Sequence, residues 1–366
     1  MLALGILLGF VALIGGAELL VRGAAELARA VGMPPLIIGL TVVAFGTSTP
    51  ELAVSVKAAV SGQADIALGN VVGSNTFNVL FILGVSALVA PLVVSSQLIR
   101  LDVPVMIGVS ALTWVLARDG AVGRVEGAVL VAALCAYTAL LIYLGMRSNR
   151  VAATTAAEPP AEIPRRRLGW SVLWVLIGLG LLVLGSNWLV NGAVALARLL
   201  GVSELVIGLT IVAAGTSMPE LATSVLAAIR GQREIAVGNV VGSNIYNLLA
   251  VLGGTALVSE QGVRVADAAL RFDVPVMLAV SAACLPIFFT GGRISRWEGG
   301  LFLGYYVAYV VFLVLSAMRH EASATFNAAM IWFIIPLTTL SIAVSVVAWL
   351  PRRRDRRVKP ADGRNE

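Results

Sequence analysis

The chain has 366 residues, of which 59% are hydrophobic and 13% charged, and a mean hydropathy of +0.94. A water-soluble fold cannot bury so much apolar surface, so the composition excludes a soluble globular protein and specifies a polytopic membrane protein. The net charge of +6 does not mark a nucleic-acid binder, because the basic residues lie in short connections and a C-terminal tail, where they orient a chain in a bilayer.

About 20 apolar residues cross a bilayer as a helix. On that rule, spans are predicted near residues 3–26, 36–59, 65–89, 102–118 and 125–146. No Lys or Arg precedes the first apolar run, so it is expected to stay as a membrane helix rather than be cleaved as a signal peptide. A polar stretch follows, with Glu158-Pro159-Pro160, Pro164 and Arg165-Arg166-Arg167, and reads as a linker. A second set of spans is predicted near 169–195, 205–229, 234–258, 273–290 and 297–317, and an eleventh apolar run covers about 328–350. The expected organisation is a first five-helix repeat over 1–146, a linker over 147–168, a second repeat over 169–318, an extra transmembrane helix within 319–350 and a basic tail over 351–366. Cys135 and Cys284 have no metal-ligand spacing and read as small buried hydrophobes. His320, between Arg319 and Glu321, reads as solvated.

The two sets repeat each other. Gly39-Leu-Thr-Val-Val-Ala-Phe-Gly-Thr-Ser-Thr-Pro-Glu51 recurs at an offset of 169 as Gly208 to Glu220, differing only at Val42/Ile211, Phe45/Ala214 and Thr49/Met218. Gly69-Asn-Val-Val-Gly-Ser-Asn-Thr-Phe-Asn78 recurs as Gly238 to Asn247, and Asp102-Val-Pro-Val-Met106 as Asp273 to Met277. Five is an odd number of spans, so the second copy enters the membrane from the opposite side. The fold class is therefore an all-α membrane protein of two inverted-topology repeats plus one extra helix, with a site expected near the midplane. Eleven spans put the linker and the tail on one face, which then holds most of the 26 Lys and Arg. That face is expected to be cytoplasmic, with the N-terminus outside.

Hydrocarbon does not tolerate an isolated carboxylate, so Glu51 and Glu220 call for a partner, water or a cation. Pro50 and Pro219 lack an N–H and should kink their helices, freeing the carbonyls of Gly46 and Gly215. Thr47 and Ser48 share the helical face of Glu51, and Thr216 and Ser217 that of Glu220. Ser74 and Asn78 lie one turn apart, as do Ser243 and Asn247. All are hard oxygen donors; six to eight of them suit Ca²⁺ and a subset suits Na⁺, whereas no soft ligand favours zinc or copper. Gly69 and Gly73 form a small-residue ridge for close helix approach. The alternative for the asparagines is helix-bridging hydrogen bonds, and for the glutamates a pair of structural acids. No Lys or Arg sits at motif depth to pair with them, and Lys57 can snorkel outwards. Glu18 is a weaker candidate for lining an ion path, since its repeat mate is Asn187; Asp102 and Asp273 read as helix caps. No nucleophile–base pair, His cluster or phosphate loop supports an enzyme.

The doubled Gly-Thr-Ser-x-Pro-Glu and Gly-Ser-Asn-x-x-Asn motifs resemble the α-repeats of the calcium/cation antiporter superfamily, nearest its Na⁺/Ca²⁺ exchanger branch in the small bacterial form. The resemblance implies Ca²⁺ moved against Na⁺ by alternating access, the first and sixth helices sliding on a core of the others, in a bacterial inner membrane. It carries family ligand positions onto Thr47, Ser48, Glu51, Ser74 and Asn78 and onto Thr216, Ser217, Glu220, Ser243 and Asn247, with the carbonyls of Ala44 and Ala213. Some relatives have an acid at the position of Asn247, tied to proton or potassium effects; here both Asn78 and Asn247 are amides. No cofactor is expected, since Ca²⁺ and Na⁺ would be cargo. The expected partners are membrane lipids and the transported cations, with no nucleic acid and no oligomer specified. Three rivals stay open: the same fold driven by protons, a passive cation channel, and a membrane enzyme or scaffold.

Overall fold

The computed structural model describes residues 2–61, 65–155, 165–200, 213–289 and 291–317, with residues 339 and 343 as isolated positions. Apart from residues 339 and 343, the eleventh predicted span lies outside the described residues, as do the tail, His320 and the first part of the span expected at 205–229.

The described residues are nearly all helical. In chain order they form α1 (Leu2–Val31), α2 (Pro35–Thr47), α3 (Thr49–Val60), α4 (Ala67–Val89), α5 (Leu98–Leu116), α6 (Arg124–Thr155) and α7 (Arg165–Leu199). After a helical turn at Ala213–Gly215 come α8 (Met218–Ile229), α9 (Arg233–Val258), α10 (Ala269–Phe289) and α11 (Arg296–Ala317). Eight of these are long and apolar enough to cross a membrane, and the bent pair α2–α3 makes a ninth span. Gly32 and Gly231, with φ of 69° and 75°, stop α1 and α8 in the left-handed conformation. There the N–H of Met33 reaches the Ala28 carbonyl and that of Gln232 the Ala227 carbonyl, satisfying helix-end acceptors. The polar stretch read as a linker is helical at both ends, up to Thr155 and from Arg165.

Inversion is visible in the packing. Gly9 lies against Leu189, Gly16 against Leu182 and Gly23 against Val175, so α1 and α7 run antiparallel along a glycine seam. A Cβ at Gly16 would come within 2.8 Å of the Gly178 carbonyl, and one at Gly178 within 2.6 Å of the Leu20 nitrogen. Without a hydrophobic drive between helices in lipid, such backbone contact supplies the attraction. Since Gly16 and Gly185 are repeat mates, equivalent helices point in opposite directions, as a two-fold axis in the membrane plane requires. The ends repeat the exchange in antiparallel pairs: β1 (Leu92–Val93) with β4 (Arg293–Ile294), and β2 (Ala121–Val122) with β3 (Val263–Arg264).

α9 and α4 form the centre: 94% and 78% of their most apolar windows are buried, against at most 39% for the other single-helix spans. They are also the helices that carry the Gly-Ser-Asn motifs. Gly238 and Gly242 approach α2 closely, a Cβ on Gly242 falling 2.9 Å from Leu40 Cα. The residues the repeat sets opposite Gly69 and Gly73 lie outside the described residues.

Two expectations are corrected. Asp102 does not cap α5: it is helical itself, closes a π-turn at Leu98–Asp102 and makes no capping bond. Instead it is fully buried and accepts hydrogen bonds from Tyr137 Oη at 2.9 Å and Gln97 Nε2 at 3.3 Å. Asp273 likewise accepts one from Tyr309 Oη at 3.0 Å. Each acid ties the fourth helix of its repeat to the fifth, because a buried carboxylate needs donors more than a helix start needs a cap. Cys284 is buried as expected, but Cys135 is exposed on the outer face of α6.

Candidate functional site

The second span does not merely kink at Pro50; it breaks. Ser48, at φ −82° and ψ 3°, separates α2 from α3, whose axes differ by 41°. Pro50 occupies the first turn of α3, where its missing N–H costs nothing. Ser217, at φ −90° and ψ 11°, opens α8 in the same way, with Pro219 in its first turn. Glu51 and Glu220 fall in those first turns, where the positive pole of each half-helix favours a carboxylate. The freed carbonyl has a different fate from the one expected: Gly215 O accepts a 2.7 Å bond from Ser186 Oγ of α7 and is not left for a ligand.

Hydrogen bonds join several of the predicted residues, and they do so across the repeats. Ser217 Oγ donates to Glu51 Oε1 at 3.0 Å, and Ser48 Oγ donates to Glu220 Oε1 at 3.2 Å. Thr47 Oγ1 donates to Asn239 Oδ1 at 3.1 Å and lies 3.4 Å from Ser243 Oγ. Its mate Thr216 donates to Asn70 Oδ1 at 3.3 Å. The Ala44 carbonyl accepts the Ser48 N–H at 3.0 Å and, more distantly, Thr47 Oγ1 at 3.4 Å. Ala213 begins the helical turn that leads into the second break. A π-turn starts at Asn78 and another at Asn247, a local widening found often at functional sites.

Glu51, Glu220, Asn78, Ser217, Ser243 and Asn247 are 0% exposed, and Thr47, Ser48 and Ser74 no more than 3%. Five of the oxygens gathered here have no hydrogen-bond partner: Glu51 Oε2, Glu220 Oε2, Ser74 Oγ, Asn78 Oδ1 and Asn247 Oδ1. The other unpartnered buried atoms among the described residues are hydroxyls of Ser86, Thr113, Thr223 and Thr255. Leaving a buried acceptor unmade costs about 1–3 kcal/mol, more for a charged group. Among the described residues, no ion pair reaches Glu51 or Glu220. No cluster of three or more His, Cys, Asp or Glu occurs there either, so the formal charge of the site stops at two carboxylates. The arrangement is an all-oxygen, net-negative pocket whose unused lone pairs match a hard cation.

Glu18 makes none of these bonds. It pairs with Arg22 one turn along α1 and with Arg230 at the end of α8, at 2.8 Å. Sequence reasoning missed the residues that brace the site: Asn70, Asn239, Asn75 and Asn244, with Ser55 and Ser224. Asn70 Nδ2 donates to Ser55 Oγ at 3.0 Å and Asn239 Nδ2 to Ser224 Oγ at 2.9 Å. Their signal was present, since Ser55/Ser224 and both asparagine pairs are identical in the two copies.

Comparison with known proteins is consistent with this geometry. Residues 1–143 and 170–315 match the family described as sodium/calcium exchanger protein. The inner membrane protein YrbG of Escherichia coli is 36% identical over 84% of this chain and 95% of its own length. The sodium/calcium exchanger MaX1 of Methanosarcina acetivorans is 33% identical over 84% of this chain and 97% of its own. Among solved structures, the sodium-calcium exchanger NCX_Mj, soaked with Na⁺ and Ca²⁺, superposes with a TM-score of 0.72 at 30% identity, covering 85% of this chain and 97% of that one. The chain is an integral membrane protein, and it belongs to the sodium/calcium exchanger protein family.

Proposed function

We propose that the protein is a secondary antiporter that exchanges Ca²⁺ for Na⁺ by alternating access at the Glu51–Glu220 site. The observation that carries this reading is the set of five unpartnered buried oxygens, two of them on carboxylates with no basic partner. Glu51 and Glu220 bridge the Ca²⁺, Asn78, Asn247 and Ser74 complete its shell, and Na⁺ takes over the same oxygens on the return. Thr47, Thr216, Ser48, Ser217 and Ser243 orient the donors or share the cation, with the Ala44 and Ala213 carbonyls at the rim. Two unit charges 4 Å apart interact by about 4 kcal/mol at an effective dielectric of 20. Carboxylates without a cation therefore resist occlusion, whereas a loaded site can close and reorient. That asymmetry favours exchange over leak, and it disfavours a passive channel.

The seam between α1 and α7 supports these two helices as the moving pair, because small residues let packed helices slide. The basic linker and tail lie in the cytoplasm and the N-terminus outside, in a bacterial inner membrane; the name of YrbG is in keeping with that location.

The test is ⁴⁵Ca uptake in proteoliposomes driven separately by a Na⁺ gradient and by a pH gradient. A Na⁺ gradient should drive uptake, and Glu51→Gln or Glu220→Gln should abolish it. Uptake driven by the pH gradient alone would replace Na⁺ with protons as the coupling ion. Steady flux with no counter-ion would revive the channel.

A further inference from the structure

We infer that Asn75 and Asn244 are positioning residues that decide which atom of the Asn78 and Asn247 amides faces the cation. The inference rests on the cation-site reading above and assigns a role to two residues outside the proposed shell. They are repeat mates, 1% and 0% exposed, on the two central helices.

An amide offers two donors at one end and an acceptor at the other, and a flip exchanges the ends. Backbone carbonyls can only accept, so they fix the orientation of any amide against them. Asn75 Nδ2 donates to the Asn244 carbonyl at 3.1 Å, and Asn244 Nδ2 to the Asn75 carbonyl at 3.3 Å. Asn244 Nδ2 also lies 3.5 Å from Met106 Sδ, a weak acceptor. The Oδ1 ends must then point the other way, and each receives an amide from the opposite repeat. Asn78 Nδ2 donates to Asn244 Oδ1 at 2.9 Å, and Asn247 Nδ2 donates to Asn75 Oδ1 at 3.0 Å.

The chain of constraint runs from carbonyl to amide to amide. It ends with Asn78 Oδ1 and Asn247 Oδ1 buried and without a donor, free for the cation in the reading proposed above. A flip of either outer amide would turn an NH₂ group toward the cation and replace attraction with repulsion. The crossing also has a consequence for assembly: each repeat sets the amide ligand of the other, so neither half-site is complete alone. Outer-shell partners of this kind typically cost 10–100-fold in metal affinity when removed.

The test measures ⁴⁵Ca binding by the purified full chain, and Na⁺-driven uptake in proteoliposomes. Asn75→Leu and Asn244→Leu should each weaken Ca²⁺ binding on the order of tenfold or more, while uptake at saturating Ca²⁺ changes far less. The crossed double variant Asn78→Ala/Asn244→Leu should bind no more weakly than Asn78→Ala alone. The same-repeat double variant Asn247→Ala/Asn244→Leu should show both losses added, because only residues in one network couple. Asn75→Asp and Asn244→Asp give up the bond to the backbone carbonyl, but both carboxylate ends accept, so the facing Asn78 or Asn247 amide keeps its orientation and affinity should stay above that of Asn78→Ala. They carry the test if the leucine variants do not fold. Native affinity in the leucine variants, additive crossed pairs, or aspartate variants as weak as Asn78→Ala would each overturn the inference while Glu51→Gln still abolished binding. Normal Ca²⁺ binding by Glu51→Gln would overturn the cation-site reading, and this inference with it.

Discussion

Beside the break in the second span, Pro50, Val54, Ser186, Asn187, Val190 and Thr216 line a cavity of about 230 Å³ between α3 and α7. The repeat places Pro219, Thr223, Ala17, Glu18, Val21 and Thr47 at the corresponding positions on the opposite side, and there the packing is shut. Val54 is 42% exposed and its mate Thr223 is 0%; Ala17, Val21 and Thr47 are at most 2%. The closed side also carries the Glu18–Arg230 ion pair, whereas the open side has Asn187 and Ser61 at those positions. At the centre the Ser–Glu, Thr–Asn and Asn–Asn bonds occur in both crossed copies, with only the Thr47–Ser243 contact lacking a mate at Ser74; at the rim the two-fold fails. A near-symmetric centre approached by unequal routes is the arrangement that the proposed alternating access would require.

Variants at the centre should act in equal pairs, and those at the rim unequally. The largest effect is expected for Glu51→Gln and Glu220→Gln. Each removes a full charge from a buried site; a carboxylate and a divalent ion 4 Å apart interact by about 8 kcal/mol at an effective dielectric of 20, so Ca²⁺ affinity by isothermal binding should fall by roughly a thousandfold or more. Unequal losses would show that one carboxylate alone carries the ion. Ser48→Ala and Ser217→Ala come next: each deletes one hydrogen bond to a charged group, worth about 1.5–3 kcal/mol. Their apparent KM for Ca²⁺ should rise by similar factors, and a change in one only would break the symmetry of the centre.

The glycine seam extends the comparison to packing. Gly16→Ala and Gly185→Ala each force a Cβ within 2.8 Å of the facing backbone, and overpacking of that kind costs about 1–3 kcal/mol. Thermal unfolding in detergent should fall similarly for both. The smallest effect belongs to the rim. Glu18→Gln breaks a pair whose side chains are 20% and 52% exposed, worth about 0.2–1 kcal/mol after solvent screening. In a Cys135→Ser background, Val54→Cys should react readily with a polar thiol reagent and Thr223→Cys slowly. Adding Glu18→Gln should speed labelling of Thr223→Cys a few-fold, whereas Asn187→Ala should leave Val54→Cys unchanged. Equal labelling from the start would contradict the difference between the two sides.

Much of the fold was legible because the bilayer simplifies the physics. Every spanning segment must be apolar and internally hydrogen-bonded, so helices announce themselves by length, and two Pro-Glu motifs at a fixed offset reveal the repeat. The half-site residues were legible for a related reason: a carboxylate, an amide or a paired hydroxyl is too costly in such a helix without a task. Asp102 shows where that logic stops, since its position at a span start resembled a cap and only packing brought Tyr137 within reach. Ser186 is another case, because nothing local to α7 foretells that its hydroxyl consumes the carbonyl released by Pro219.

By itself, then, the sequence determined the candidate set: one glutamate, one terminal asparagine and their serines and threonine, written twice with no Lys or Arg at motif depth. The tertiary structure alone decided the pairing, which is crossed, so that Ser217 serves Glu51 and Asn244 serves Asn78. The reason is geometric. Sequence spacing fixes which residues share a helix face, but a helix has no means of specifying which face of another helix it will meet. That choice belongs to the glycine seam and the two-fold axis, which bring the opposed half-helices together, while five oxygens of the predicted set stay buried with their lone pairs unused.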